Sequence, residues 1–107
     1  MKAIKLKGET VTIEDVKNAI TEVKFVKLGK KIVVCHITLL NGFEVIGKSG
    51  VVDPDLFDMK IGGEIAKENA IDEIWFHLGS ILQNKLAESN EVWDEVEELR
   101  RKGIGNI

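Results

Sequence analysis

The chain has 107 residues, of which 44% are hydrophobic and 31% charged, and its formal net charge is −3. This length is sufficient for one domain with a modest hydrophobic core. The negative charge and the presence of only two arginines, Arg100 and Arg101, disfavour a protein that grips nucleic acid, because such proteins neutralise many backbone phosphates. We therefore treat residues 1–107 as a single domain and expect no DNA or RNA polymer as a partner.

Cysteine content and hydropathy bear on the cellular compartment. A single cysteine, Cys35, excludes an intramolecular disulfide and is typical of a reducing compartment. The longest run without Asp, Glu, Lys or Arg is Ile32 to Phe43, well short of the roughly 20 apolar residues that a membrane span needs. Residues 1–10 carry scattered charges and have no apolar core of a signal peptide. The sequence thus predicts a cytoplasmic protein without a membrane partner.

The first predicted elements are an arm, a short helix and a strand. Residues 1–9 are either a short edge strand or a mobile arm. Thr12 and Asp15 have the spacing of a capping box, so a helix is expected over about residues 13 to 20. Alternating apolar and polar residues then predict a strand from Glu22 to Leu28.

A hairpin at Asn41-Gly42 is predicted to join two strands, Ile32 to Leu40 and Phe43 to Val51. This dipeptide is the strongest short-range signal for a type I′ turn, in which both central residues have positive φ. Gly47 and Gly50, inside the second strand, indicate a bulge or the close approach of another backbone or a ligand. The odd positions of the first strand are all apolar and predict its core face: Val33, Cys35, Ile37 and Leu39.

The second half of the chain is predicted to be helical. Asp53-Pro54 is expected to start it, because Asp is a good N-cap and Pro suits the first helical position. A long helix from about Ile61 to Ala87 is followed by a separate charged amphipathic segment from Glu91 to Lys102. The apolar face of the long helix has three- and four-residue spacing: Ile61, Ile65, Ile71, Ile74, Leu78, Ile81, Leu82 and Leu86.

These elements together define the expected fold class. It is α+β, with a small antiparallel β-sheet, built on the hairpin around Asn41-Gly42, packed with an N-terminal helix and a long C-terminal helix. The apolar face of the long helix is broader than a small domain covers by itself. We therefore expect part of it to be a subunit interface.

Residues with catalytic or metal-binding chemistry are few, and most have a structural explanation. Cys35 and His36 are neighbours on a strand, so they point to opposite faces and cannot form a nucleophile–base pair. We interpret Cys35 as a core residue and His36 as a structural histidine, with ligand contact as the alternative for His36. The two histidines, His36 and His77, are poor evidence for a zinc site. Helix capping explains three crowded carboxylates better than a metal site does: Asp53, Asp55 and Asp58.

The chain also contains an ordered series of short motifs: His36-x-Thr38-Leu39-x-Asn41-Gly42-Phe43-x-Val45-x-Gly47, Val52-Asp53-Pro54, Phe57-Asp58, Ile61-Gly62, Ala66-x-Glu68-Asn69-Ala70 and Ile74-Trp75. This series, within roughly residues 11 to 88, resembles the small phage proteins of the coliphage N4 type, a family similar to the Thoeris anti-defence one proteins. The resemblance implies a non-enzymatic sponge, without a cofactor, that sequesters cyclic ADP-ribose isomers made by TIR-domain enzymes. It also implies a homo-oligomer, a dimer or a trimer of dimers, and in some relatives a separate site for cyclic trinucleotides.

The resemblance also implies roles for particular residues. Phe43 stacks on the adenine of the ligand, and Asp53 makes a polar contact where relatives often carry asparagine. Asp53 lacks the amide donor that asparagine offers beside an anionic diphosphate. The residue types are physically compatible with these roles, because an aromatic ring can stack on a base and the N–H groups at a helix start can bind phosphate. Further candidate ligand contacts are Asn69, Asn41, His36 and Lys24, with the Arg100-Arg101 pair as another source of positive charge.

Two other classes of function stay open on the sequence. One is a phage protein that inhibits a host protein through its apolar helix. The other is a nucleotide hydrolase that uses the acidic cluster around a metal. The three classes differ in what happens to a nucleotide ligand. A sponge holds it intact, an inhibitor of a host protein does not bind it, and a hydrolase cleaves it.

Overall fold

The structure is a computed structural model that describes residues 1–103, apart from the side chains of residues 91–95. Its elements are α1 (Ile13–Ala19), β1 (Ile20–Leu28), β2 (Ile32–Leu39), β3 (Glu44–Gly50), a 3₁₀ turn (Pro54–Leu56) and α2 (Met59–Arg101). The strands form one antiparallel sheet in the order β1-β2-β3, and α2 packs against β2 and β3. The α+β class predicted from the sequence is confirmed.

Helix α1 begins at the capping box that the sequence predicts. The Asp15 N–H donates to Thr12 Oγ1 (3.2 Å), and the Thr12 N–H donates to Asp15 Oδ2 (2.8 Å). These bonds satisfy backbone groups that a helix start leaves without an intrahelical partner. The helix ends at Ala19, and β1 follows at once from Ile20, two residues before the predicted start of the strand.

The turn between β2 and β3 lies where Asn41-Gly42 predicts it, but the predicted type I′ geometry is wrong. Gly42 has a φ of +87°, whereas Asn41 does not have a positive φ. The Gly42 N–H donates to Leu39 O (2.9 Å), and the Leu39 N–H donates to Phe43 O (2.8 Å). This is the pattern of a three-residue loop closed by a glycine bulge. Asn41 Oδ1 accepts the Phe43 N–H (3.0 Å), and this local bond favours the observed backbone over the left-handed region.

The two faces of the sheet differ sharply in burial. The predicted core face of β2 is confirmed, since each of its residues is at most 1% exposed: Val33, Cys35, Ile37 and Leu39. The opposite face is uncovered and partly apolar. We name it the open sheet face, after four side chains that are between 41% and 59% exposed: Val26, Leu28, Ile32 and Ile46.

Helix α2 contacts the core face through a row of buried residues four positions apart: Ala66, Ala70, Ile74, Leu78 and Leu82. Where α2 crosses β3, a Cβ added to Gly47 would lie 2.2 Å from both Ala66 O and Ala70 N. The glycine therefore lets the helix backbone rest directly on the strand. Among the alternatives open for Gly47, the close approach of another backbone is correct.

Helix α2 is longer than predicted. It runs without a break from Met59 to Arg101, whereas the sequence predicts an end near Ala87 and a separate segment from Glu91 to Lys102. The two predicted segments are separated by residues that include Ser89 and Asn90, and these residue types reduce helix propensity only modestly. Ser89 Oγ also donates to Lys85 O (3.2 Å) within the helix. Despite this length, no helix in the described residues carries an apolar stretch long enough to cross a membrane.

The predicted apolar face of α2 is only partly buried at its N-terminal end. Ile61 and Ile65 belong to this face and are 58% and 45% exposed. The sheet instead receives Ala66 and Ala70, because small side chains allow the close helix–strand approach at this crossing. The Val92-Trp93 pair, which the sequence places on the apolar side of the C-terminal segment, lies outside the described side chains.

The N-terminal arm, residues 1–9, is neither an edge strand nor detached from the domain. The Lys2 N–H donates to Leu40 O (2.8 Å), and the Leu6 side chain is only 4% exposed. Lys85 Nζ donates to Leu6 O (2.6 Å). The arm therefore connects the end of β2 to the middle of α2.

Replacing Gly47 with alanine is expected to lower the free energy of unfolding by about 3 kcal/mol, because the new methyl group would overlap the α2 backbone. Chemical denaturation followed by circular dichroism measures this change. Gly79→Ala is the matched control, since a Cβ at Gly79 meets no atom within 4 Å. The control should equal the wild type or exceed its stability by up to about 1 kcal/mol. Equal stability of the two variants would contradict the close contact at Gly47.

Cys35 is expected to be unreactive in the folded protein. Burial raises the pKa of its thiol, although the nearby Lys67 ammonium lowers that pKa in part. Thiolate is the reactive form, so a raised pKa and a buried sulfur both slow reaction with a disulfide reagent. We expect labelling at pH 8 to be slow in buffer and complete within the mixing time in concentrated guanidinium chloride. Rapid labelling of the native protein would show that Cys35 is not a core residue.

Candidate functional site

Three side chains meet at the hairpin turn: Asn41, Phe43 and His77. We name this cluster the turn platform. The rings of Phe43 and His77 are stacked, with centroids 4.0 Å apart and an interplanar angle of 5°. Asn41 Nδ2 lies 3.3 Å from His77 Nε2. The cluster therefore brings together two of the candidate residues predicted from the sequence, Asn41 and Phe43, and adds a third.

His77 reaches the turn because of how α2 packs. It lies on the helix between Ile74 and Leu78, both fully buried against the sheet. These anchors fix the rotation of the helix, so the His77 ring is directed at the β2–β3 turn. No local signal in the sequence connects His77 with Phe43, which lies far away along the chain. Only the register of α2 on the sheet shows that the two residues are neighbours.

His36 and Lys24 lie together on the outer side of the sheet. They are cross-strand partners in the pairing of β1 with β2. His36 Nε2 is 2.6 Å from Glu44 Oε1, and Lys24 Nζ is 3.4 Å from Glu22 Oε1. The His36 and Lys24 side chains thus each have a carboxylate neighbour, as expected for a structural histidine at position 36. Because these groups are substantially exposed, the pairs contribute little to stability.

Asp53 and Asn69 each have a hydrogen-bond partner of their own. Asp53 Oδ1 accepts the Asp55 N–H (2.9 Å) at the start of the 3₁₀ turn. Asn69 Nδ2 donates to Lys48 O (2.8 Å) and so connects α2 to β3. Among the described residues, no hydrogen bond or ring contact joins either side chain to the turn platform. A single protomer therefore does not assemble all the candidate ligand contacts.

The acidic cluster caps helices, as the sequence analysis favours. Asp58 Oδ1 accepts the Lys60 and Ile61 N–H groups (2.9 and 3.0 Å) at the start of α2. Asp53 has the same role at the 3₁₀ turn. In the part of the chain that the structure describes, no group of three or more His, Cys, Asp or Glu side chains is placed to hold a metal ion.

The Arg100-Arg101 pair lies in the last turn of α2. Leu82 is the last buried residue among those described, and Arg100 lies roughly 27 Å beyond it along the helix axis. At this position the two cations stabilise the negative end of the helix dipole. They lie too far along the helix to contact a ligand on the platform of the same protomer.

The turn platform is an open surface in a single protomer. One cleft of about 310 Å³ lies between the N-terminal arm and α1, where Lys5 and Asp15 are among its lining residues. Another, of about 570 Å³, lies beside Phe25 and includes Lys60 and Lys67. Neither cleft includes Phe43, a residue that is 49% exposed. The platform is therefore accessible to solvent at Phe43.

Comparison with known proteins gives the family of the chain. A family model described as the phage protein (N4 Gp49/phage Sf6 gene 66) family matches residues 11–86. The chain belongs to this family. The match spans α1, the whole sheet and α2 as far as Leu86, so it contains the turn platform of this phage protein. No curated protein and no solved structure matches the chain. The resemblance to small phage proteins inferred from the motif series is thus confirmed.

Asp58→Ala is expected to lower the free energy of unfolding by about 1–2 kcal/mol, because two N–H groups at the start of α2 lose their acceptor. Asp55→Ala is the matched control, since it leaves the carboxylates of both caps in place, and its stability should be unchanged. Thermal unfolding with and without Mg²⁺ measures both effects. A melting temperature that rises with Mg²⁺ in the wild type and not in Asp58→Ala would contradict the capping role and favour a metal site.

Proposed function

We propose that this phage protein is a sponge that binds cyclic ADP-ribose isomers, the gcADPR signals of Thoeris immunity, and holds them without cleavage. In the cytoplasm of the bacterial host, a binder in excess over the signal would lower the free signal by mass action and leave the effector inactive. The observation that carries the proposal is the Phe43 ring, which is half exposed and held parallel to His77. A flat aromatic face of this kind stacks on a nucleotide base.

Family membership supports the phage origin of this activity. The match to a phage protein family covers most of the chain, including every strand of the sheet. The resemblance of the motif series to the Thoeris anti-defence one proteins supplies the ligand class. It also suggests a cyclic trinucleotide of CBASS-type immunity as a second ligand at a separate site.

The bonding of the described residues favours binding over cleavage. Cys35 is fully buried, and burial raises the pKa of its thiol, so it is a poor nucleophile. The carboxylates of Asp53 and Asp58 accept backbone N–H groups at helix starts. A nucleotide hydrolase needs an activated nucleophile or a metal-bound water, and these carboxylates are directed at the backbone of their own chain.

We also propose that the protein acts as a homo-oligomer, either a dimer or a trimer of dimers. In one protomer Phe43 is half exposed, and Asp53 and Asn69 are bonded elsewhere. A second subunit would enclose a ligand bound at Phe43. The open sheet face and the exposed α2 residues Ile61 and Ile65 offer apolar surface for such contacts.

The alternative function is inhibition of a host protein through α2. The observation in its favour is Phe76, which is 83% exposed on the side of α2 that faces away from the sheet. A large, isolated aromatic side chain is a common anchor in protein interfaces. Under this alternative the protein would bind no nucleotide, and Phe76 rather than Phe43 would be essential.

Calorimetry with a glycocyclic ADP-ribose isomer tests the sponge directly. We expect saturable binding by the wild type and recovery of the intact isomer by chromatography after heat denaturation. Phe43→Ala should weaken binding by at least about fivefold, because stacking of one base on an aromatic ring contributes about 1–3 kcal/mol. The native mass should exceed that of one chain for both proteins.

Phe76→Ala is the matched control, because it removes the same ring from another exposed position. It should bind the isomer as tightly as the wild type. Recovery of linear product instead of the intact isomer would refute a sponge in favour of a hydrolase. Absence of binding by the wild type, together with loss of anti-defence activity in Phe76→Ala, would favour the host-protein alternative.

A further inference from the structure

The His77 ring covers one face of the Phe43 ring. The stacking distance of 4.0 Å and the angle of 5° leave no room for a third ring between them. Phe43 is nevertheless 49% exposed, and because His77 covers one face, the accessible surface of the ring lies on its edges and its other face. A base that stacks on Phe43 while His77 stays in place must therefore use this other face.

The hydrogen bonds of Asn41 hold both rings. Its Oδ1 accepts the Phe43 N–H (3.0 Å), so the amide nitrogen is the atom directed at His77 Nε2, 3.3 Å away. An amide N–H donates to Nε2 only if that nitrogen carries a lone pair. The network thus assigns the neutral tautomer to His77, with its proton on Nδ1.

Packing of α2 in the core also fixes the position of the His77 ring. Its neighbours Ile74 and Leu78 are 0% exposed in the core, so α2 cannot rotate at this point without opening the core. Phe43, by contrast, lies on a hairpin turn, where side chains have more freedom. The rigid helix therefore orients the aromatic ring of the more flexible turn.

We infer that His77 is a positioning residue for ligand binding: it backs the Phe43 ring so that only the opposite face accepts a planar purine base. This inference rests on the proposed function, because it refines the same site. A ring that is already oriented loses less conformational freedom on binding, and this raises affinity. His77 itself does not contact the ligand.

The experiment compares three proteins by calorimetry with a glycocyclic ADP-ribose isomer: wild type, His77→Ala and His77→Phe. Removing the backing ring should weaken binding about three- to tenfold, the range that aromatic pair energies imply. Phenylalanine keeps the ring and loses only the acceptor for Asn41, so His77→Phe should stay within about twofold of the wild type. Wild-type affinity in His77→Ala, or an equal loss in both variants, would overturn the inference. A gain in affinity in His77→Ala would overturn it too, since the base would then take the place of His77.

Nuclear magnetic resonance separates this inference from the proposed function. The Phe43 ring protons should show an upfield ring-current shift that disappears in His77→Ala and persists in His77→Phe, with or without ligand. Long-range ¹H–¹⁵N correlations should show the proton of His77 on Nδ1. If the wild type binds no isomer but these shifts are present, the proposed ligand is wrong and the orienting role of His77 stands. If Phe43 shifts are the same in wild type and His77→Ala, the orienting role is refuted whatever the ligand.

Discussion

The direct contact between the α2 backbone and β3 is the constraint on which the rest of the structure depends. At Gly47 there is no space for even one methyl group, because Ala66 O and Ala70 N would lie 2.2 Å from it. Small residues on both sides therefore set the distance between helix and sheet. Ile74, Leu78 and the core face of β2 then fill the remaining interior, and their packing fixes the rotation of α2.

The turn platform is a consequence of this packing. Because α2 is fixed in rotation, His77 meets a turn that belongs to a distant part of the chain, and Asn41 joins the two by hydrogen bonds to each. The proposed binding site thus lies where a rigid helix supports a short loop, an arrangement that can orient a side chain while leaving it accessible. Phe43 combines both properties, since its ring is oriented yet half exposed.

Much apolar surface of the protomer is not covered by this packing. A three-stranded sheet has two faces, and α2 covers only one of them, so the open sheet face remains exposed. Beyond Leu82, the described part of α2 extends with little support from the domain. Isolated helical segments are marginal in water, so association with other subunits would stabilise this extension. These uncovered surfaces are where the subunits of the proposed homo-oligomer would meet.

Local patterns in the sequence determined the capping box at Thr12, the core face of β2 and the location of the hairpin, because each depends on neighbouring residues alone. The motif series also identified the phage protein family, and the resemblance implied Phe43 as a ligand contact. The tertiary structure decided the rest. It set Ala66 and Ala70, rather than Ile61 and Ile65, against the sheet, and it placed His77 beside Phe43. These outcomes depend on distances between elements, and hydrophobic periodicity carries no information about such distances.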